Sequence, residues 1–239
     1  MDVTTKVANN LKYESIPLEL KNLKEYLPAR TVWAIGGDGW AYDIGYNGLD
    51  HVLHSNENIK ILVLDTEVYS NTGGQASKAT NKGAVAEFAD FGKKTNKKDL
   101  FRMASSIENC YVASISLGAN MMHTIKTFKE ADEHQGPAII IAYCPCNEHG
   151  IKNGLSCSIS EEKLAVECGY TLLMHSVNGK LSLDSPEPNF DKYQTFLDNE
   201  VRFKALKIKN KEFADIILEE QKQNAIKRYS YYKDLQNKN

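Results

Sequence analysis

Between Thr31 and about residue 175 the chain alternates short apolar, β-branched runs with amphipathic stretches of helical length, and this alternation restricts its fold more than any other feature. Residues 31–36 (TVWAIG), 59–65 (IKILVLD), 111–116 (YVASIS) and 137–143 (PAIIIAY) each read as a buried strand. They are apolar along most of their length instead of at every second residue, the pattern of strands covered on both faces. Helical patterns fall between them, over 42–54, 100–107, 119–133 and 161–168. A strand, a helix and a second strand in succession form a right-handed crossover between parallel neighbours. The expected class is therefore α/β, a parallel sheet with helices on both faces.

Three segments follow from this reading: a polar leader or linker over 1–28 with a helical candidate at Leu18–Tyr26, an α/β domain over 29–176, and a mainly helical extension over 177–239. In the extension Phe213, Ile216, Ile217 and Ile226 suggest one amphipathic stripe that packs on the core or on a partner. A net charge of −2 offers no basic face for nucleic acid. The local runs at 93–98 (KKTNKK) and from Lys204 onward read as solvated surface. The longest apolar run, Ala138–Tyr143, is too short to span a bilayer, and no signal-peptide pattern follows Met1. Five cysteines (Cys110, Cys144, Cys146, Cys157 and Cys168) are better read as reduced thiols or metal ligands than as a disulfide framework, which suits a reducing compartment.

Gly36-Gly37-Asp38-Gly39 stands where the first strand ends and a helix begins. Glycine lets backbone approach a ligand, and a helix start offers unpaired N–H groups to an anion. The run is not G-x-G-x-x-G, and an Asp inside such a turn suits a diphosphate only through a bridging metal. Magnesium takes a few protein oxygens and completes its shell with phosphate and water. Further oxygen ligands are expected at the end of the next parallel strand, where Asp65-Thr66-Glu67-Val68-Tyr69-Ser70-Asn71-Thr72-Gly73-Gly74 begins. The histidines show no metal-ligand spacing and read as surface or capping groups. Lys78 reads equally as an exposed loop lysine or as a cation near phosphate.

Gly37-Asp38-Gly39, separated from Thr66 by residues 40–65, resembles the diphosphate motif of thiamine diphosphate (TPP) enzymes, with Thr66 where most members carry Asn. GGDGWAYDIGYNGLDHVL and DTEVYSNTGGQASKAT are similar to pyruvate:ferredoxin (flavodoxin) oxidoreductases nearly letter for letter. The likeness continues more loosely through KKDLFRMA and IIIAYCPCNEHG into the helical tail. The resemblance implies the diphosphate half of the TPP-binding fold with a helical C-terminal arm. It implies Mg²⁺ bound by the side chains of Asp38 and Thr66 and by the carbonyl of Val68. It further implies room for the diphosphate at Gly37 and Gly39, and Asn71 facing the thiazolium and the substrate as the catalytic contact. Cys146 corresponds to the fourth ligand of a [4Fe–4S] cluster, which needs four thiolates.

The implied activity is oxidative decarboxylation of pyruvate to acetyl-coenzyme A and CO₂, with electrons leaving through clusters to ferredoxin or flavodoxin. The enzymes resembled are several times longer, so this chain is expected to be one part, inactive alone, of a homodimer in the cytoplasm or an anaerobic organelle. The alternatives are a non-catalytic relic that binds partners, an enzyme of different 2-oxoacid specificity, or a dinucleotide-binding domain using Asp65.

Overall fold

The computed structural model describes residues 31–148 and 150–238 and contains one six-stranded sheet in the order β1-β2-β6-β5-β7-β8. β1 (Val32–Gly37), β2 (Ile59–Asp65), β5 (Tyr111–Ile115) and β6 (Ala138–Tyr143) are parallel. β7 (Met174–Val177) and β8 (Lys180–Leu183) extend the sheet beyond β5 as an antiparallel hairpin. A separate two-stranded hairpin joins β3 (Val68–Tyr69) to β4 (Gln75–Ala76) directly after β2. The helices are α1 (Tyr46–His54), α2 (Leu100–Ala104), α3 (Met121–Glu133), α4 (Ser158–Glu167), α5 (Tyr193–Asn199), α6 (Val201–Lys209) and α7 (Lys211–Lys238).

Successive strand residues point to opposite faces. Ile61, Val63, Val112, Ile139 and Ile141 pack against Leu49 and Leu53 of α1 and Leu100 and Phe101 of α2. Tyr111, Ala113 and Ile140 meet Ala131 and Phe128 of α3 on the other side. Helices therefore cover both faces, and the largely apolar β5 and β6 owe their composition to this double burial. Lys60 interrupts the apolar run of β2 near its start. It is fully buried, and its Nζ donates to the carbonyls of His134 (2.6 Å) and Gly136 (2.8 Å) at the end of α3.

Several expectations need correction. β1 is not a buried strand. It lies at the sheet edge, and Val32 and Ile35 are 57% and 65% exposed among the described residues. A domain boundary at 176 would cut through β7, because the sheet continues to Leu183. MHSV and KLSL are four residues each and alternate with polar groups, so they carry no apolar run to announce a strand. The stripe of α7 is also offset: Ala214, Ile217, Leu218, Ala225 and Tyr232 are buried, whereas Ile216 is 63% exposed. This helix packs on the chain's own core, closing an aromatic cluster with Phe196, Phe203 and Tyr170. The leader and its helical candidate lie outside the described residues, and no helix among the described ones is long and apolar enough to cross a membrane.

Candidate functional site

β1 and β2 are adjacent and parallel, with Gly37 opposite Leu64, so their carboxyl ends deliver Asp38 and Thr66 to the same edge of the sheet. Asp38 is 1% exposed and opens a short π-helical turn, Gly39–Ile44. Thr66 Oγ1 donates to Asp38 Oδ1 at 2.9 Å and lies 3.1 Å from the carbonyl oxygen of Val68. The three oxygens expected as metal ligands thus converge on one point. A carboxylate, a hydroxyl and a peptide carbonyl form a hard-oxygen set able to hold Mg²⁺ and leave positions open for phosphate and water.

Two serines that sequence reasoning passed over complete the shell. Ser77 Oγ donates to Asp38 Oδ2 at 2.6 Å, and Ser70 Oγ lies 2.8 Å from Thr66 Oγ1. Burial, and next the charge of Asp65, push the Asp38 carboxyl up to about 6, although Ser77 and Thr66 pull it down by hydrogen bonding. A buried carboxylate left short of positive charge is what a bound cation would relieve.

The glycines divide in their roles. A Cβ on Gly37 would meet nothing within 4 Å, so a ligand can approach the backbone there. The corresponding space at Gly39 is already filled by the Tyr69 ring, 2.3 Å from a notional Cβ. The Tyr69 hydroxyl lies within hydrogen-bond reach of Gly39 O (3.2 Å) and Asp43 Oδ2 (3.1 Å), fastening the π-helical turn to the β3–β4 hairpin. That hairpin turns through Gly73 (φ +106°) and Gly74 (φ +82°), conformations that favour glycine. Asn71 stands exposed in the 3₁₀ turn Ser70–Thr72 at its tip, with no hydrogen bond to another described residue.

Cys146 follows β6 and is buried, with its Sγ 3.0 Å from Ser70 Oγ. Asp38, Thr66, Ser70 and Cys146 therefore form one continuous chain of polar contacts. Among the described residues no group of three or more His, Cys, Asp or Glu side chains is arranged to hold a metal ion. One cysteine cannot carry a four-thiolate cluster, so the residues here do not fit a cluster held by this chain alone. Burial raises the thiols of Cys110, Cys144 and Cys168 to about 12, as for packed, inert side chains.

The lysine run at 93–98 is only partly a solvated face: Lys94, Thr95 and Asn96 are exposed, whereas Lys93, Lys97 and Lys98 turn inward. Lys97 Nζ contacts Asp65 Oδ2 (2.6 Å) and Glu67 Oε1 (2.7 Å), and Lys93 Nζ donates to the carbonyls of Ser77 (2.5 Å) and Thr80 (2.8 Å). Lys98 Nζ lies 3.0 Å from the centre of the Tyr46 ring. The same Asp65 oxygen also accepts from Tyr42 at 2.8 Å, and the residue is 3% exposed, so its carboxylate faces the protein interior and not an open ribose site. Lys78 is mostly exposed and pairs with Asp43 at 3.2 Å.

An α/β domain whose adjacent parallel strand ends gather a carboxylate, a hydroxyl and a peptide carbonyl is the class that this fold and edge define. The chain belongs to the thiamine pyrophosphate enzymes, matching the family of their C-terminal TPP binding domain over residues 19–142. It is 45% identical over 231 residues to the pyruvate-flavodoxin oxidoreductase of Klebsiella pneumoniae, covering 93% of this chain and 20% of that protein. It is 47% identical over 225 residues to the pyruvate:ferredoxin oxidoreductase of Moorella thermoacetica, covering 91% and 19%. The chain thus spans about one fifth of the length of these relatives. A 2-oxoglutarate:ferredoxin oxidoreductase from Magnetococcus marinus shares the fold with a TM-score of 0.50 and 19% identity, covering 73% of this chain and 63% of that one.

Proposed function

We propose that this chain holds the diphosphate of TPP through Mg²⁺ and forms part of an oxidoreductase that converts pyruvate, with coenzyme A, to acetyl-coenzyme A and CO₂. The observation that carries the reading is the convergence of Asp38 Oδ1 and Val68 O on Thr66 Oγ1, at 2.9 and 3.1 Å, beside the open backbone of Gly37. Membership of the TPP enzymes and identities of 45% and 47% to pyruvate oxidoreductases support the cofactor and the substrate class.

In this reading Asp38, Thr66 and the Val68 carbonyl ligate Mg²⁺, and Ser77 and Ser70 orient the first two by hydrogen bonds. Gly37 admits the diphosphate against the backbone. Asn71 projects from the hairpin tip to donate a hydrogen bond at the reacting centre. When bound, TPP supplies the electron sink for decarboxylation of a 2-oxoacid. None of these side chains is a general base; their work is to fix the cofactor's position. Cys146 would supply one thiolate to a [4Fe–4S] cluster completed by cysteines from parts of the whole enzyme outside this chain. Electron delivery to ferredoxin or flavodoxin, and turnover itself, require those parts.

Calorimetric titration of TPP into the chain, with and without Mg²⁺, tests the half-site. Binding that needs Mg²⁺ and disappears in Asp38→Ala is expected. Mg²⁺-independent binding, or equal binding by Asp38→Ala, would overturn the assignment.

A further inference from the structure

Glu67 sits between two of the proposed metal donors, and its conformation is unusual. Its φ is +62°, a left-handed backbone that few non-glycine residues adopt outside turns built for it. The residue is 1% exposed. Its carboxylate enters a buried polar cluster: Lys97 Nζ at 2.7 Å and Asn81 Nδ2 at 2.9 Å donate to Oε1, Tyr170 OH donates to Oε2 at 2.6 Å, and Arg202 Nη1 lies 2.7 Å from Oε2 as an ion contact without directed hydrogen-bond geometry. Its own carbonyl accepts from Thr80 Oγ1 at 2.5 Å.

The partners are themselves fixed. Arg202 is 2% exposed, donates through a guanidinium nitrogen to Tyr170 OH at 3.0 Å and lies 3.2 Å from Glu200 as an ion contact without directed hydrogen-bond geometry. Tyr170 packs on Phe196 with ring centres 4.2 Å apart. The cluster therefore links the helical C-terminal segment to the loop that carries Thr66 and Val68.

We infer that Glu67 is a positioning residue for the metal site: its carboxylate, clamped by Lys97, Tyr170 and Arg202, holds residue 67 left-handed so that the Thr66 hydroxyl and the Val68 carbonyl turn toward Asp38. The inference rests on the proposed Mg²⁺ reading of that site. An extended or right-handed residue 67 would turn the two neighbours differently and separate Thr66 Oγ1 from the Val68 carbonyl, which now lie 3.1 Å apart. The clamp also gives the C-terminal helices a part in metal binding, although none of their atoms reaches the metal.

The test is a Mg²⁺ titration at fixed, saturating TPP on the full chain and on Glu67→Ala, Glu67→Gly and Glu67→Gln, far below each variant's melting temperature. Glu67→Ala is expected to raise the Mg²⁺ concentration at half-saturation about tenfold, the scale for losing a residue that orients a metal ligand. Glu67→Gly should lie closer to the natural chain than Glu67→Ala, because glycine takes positive φ without strain. A purely structural role would lower the fraction of folded protein without moving the midpoint or producing that order. A natural midpoint in Glu67→Ala, or Glu67→Gly no better than Glu67→Ala, overturns the inference. If Glu67→Ala does not fold, Glu67→Gln decides alone: a raised midpoint supports the clamp and an unchanged one overturns it.

Crystal structures of the variants separate this inference from the metal reading. If neither the natural chain nor Asp38→Ala responds to Mg²⁺, the metal reading fails. The distance from Thr66 Oγ1 to Asp38 Oδ1 still judges the clamp. Widening beyond hydrogen-bond reach in Glu67→Ala supports it, and retention at 2.9 Å overturns it.

Discussion

Replacing Asp38 by Asn should stabilise the metal-free chain while abolishing Mg²⁺-dependent TPP binding. The Asp38 carboxyl has an ordinary value of 3.8 and is pushed up to about 6 by burial. At about 1.4 kcal/mol per tenfold change in proton affinity, ionised Asp38 costs roughly 3 kcal/mol at pH 7.5 relative to the unfolded chain. The amide of Asn keeps an acceptor for one of the two donors, Ser77 and Thr66, but turns an NH₂ toward the other. Losing one hydrogen bond offsets about 1 kcal/mol or more of the gain. The net expectation is a stabilisation of about 1–2 kcal/mol.

The sign of the pH dependence follows from the raised value. Stability from this group is fully present below pH 3.8 and is lost as pH rises through about 6. Between pH 7.5 and pH 5.0 the natural chain should therefore recover about 1.4 kcal/mol that the Asn variant cannot. Urea unfolding of both proteins in EDTA at the two pH values measures this difference directly. Saturating Mg²⁺ and TPP should reverse the order, because binding stabilises only the natural chain. An advantage of the Asp38→Asn variant that does not change with pH, or a variant destabilised at pH 7.5, would refute the claim that this carboxylate is held short of charge.

The two glycines beside Asp38 should respond oppositely. Gly39→Ala drives a Cβ into the Tyr69 ring and should cost about 1–3 kcal/mol in thermal unfolding, whereas Gly37→Ala has open space and should fold normally yet bind TPP more weakly. Equal melting of the two variants would contradict this. At the other end of the sheet Asp184 Oδ2 lies 2.7 Å from His175 Nδ1 and 3.1 Å from His123 Nε2, and the hydrogen bond to Asp184 raises the His175 value above 6.5. The stability this gives is present below pH 6.5 and is lost as pH rises through the raised value. Asp184→Asn should thus cost about 2 kcal/mol at pH 6 and less at pH 8.5, and a cost independent of pH would sink the assignment.

The site was legible to different depths in different residues. Gly37-Asp38-Gly39 and the Thr66–Gly74 loop are contiguous in sequence, so their chemistry and spacing could be read directly, and parallel-sheet logic brought the two strand ends together. Ser70 lay within that loop and Ser77 just beyond it, in full view, but both looked like ordinary turn residues. Lys97 was read as solvated because a run of lysines reports charge, not the carboxylates waiting at the end of β2 and in the loop after it. β7 and β8 went unseen because four-residue, half-polar strands carry almost no periodic signal.

The sequence by itself determined the layered α/β class and the oxygen-rich chemistry of the two strand ends. These depend on local periodicity and on residues close together along the chain. Only the tertiary structure decided that Glu67 is left-handed and that Arg202, far along the chain, meets it at 2.7 Å. It also decided that the C-terminal helix packs on the chain's own core. A buried charge is tolerable only where the fold delivers its partner. No local pattern records where a distant segment will come to rest.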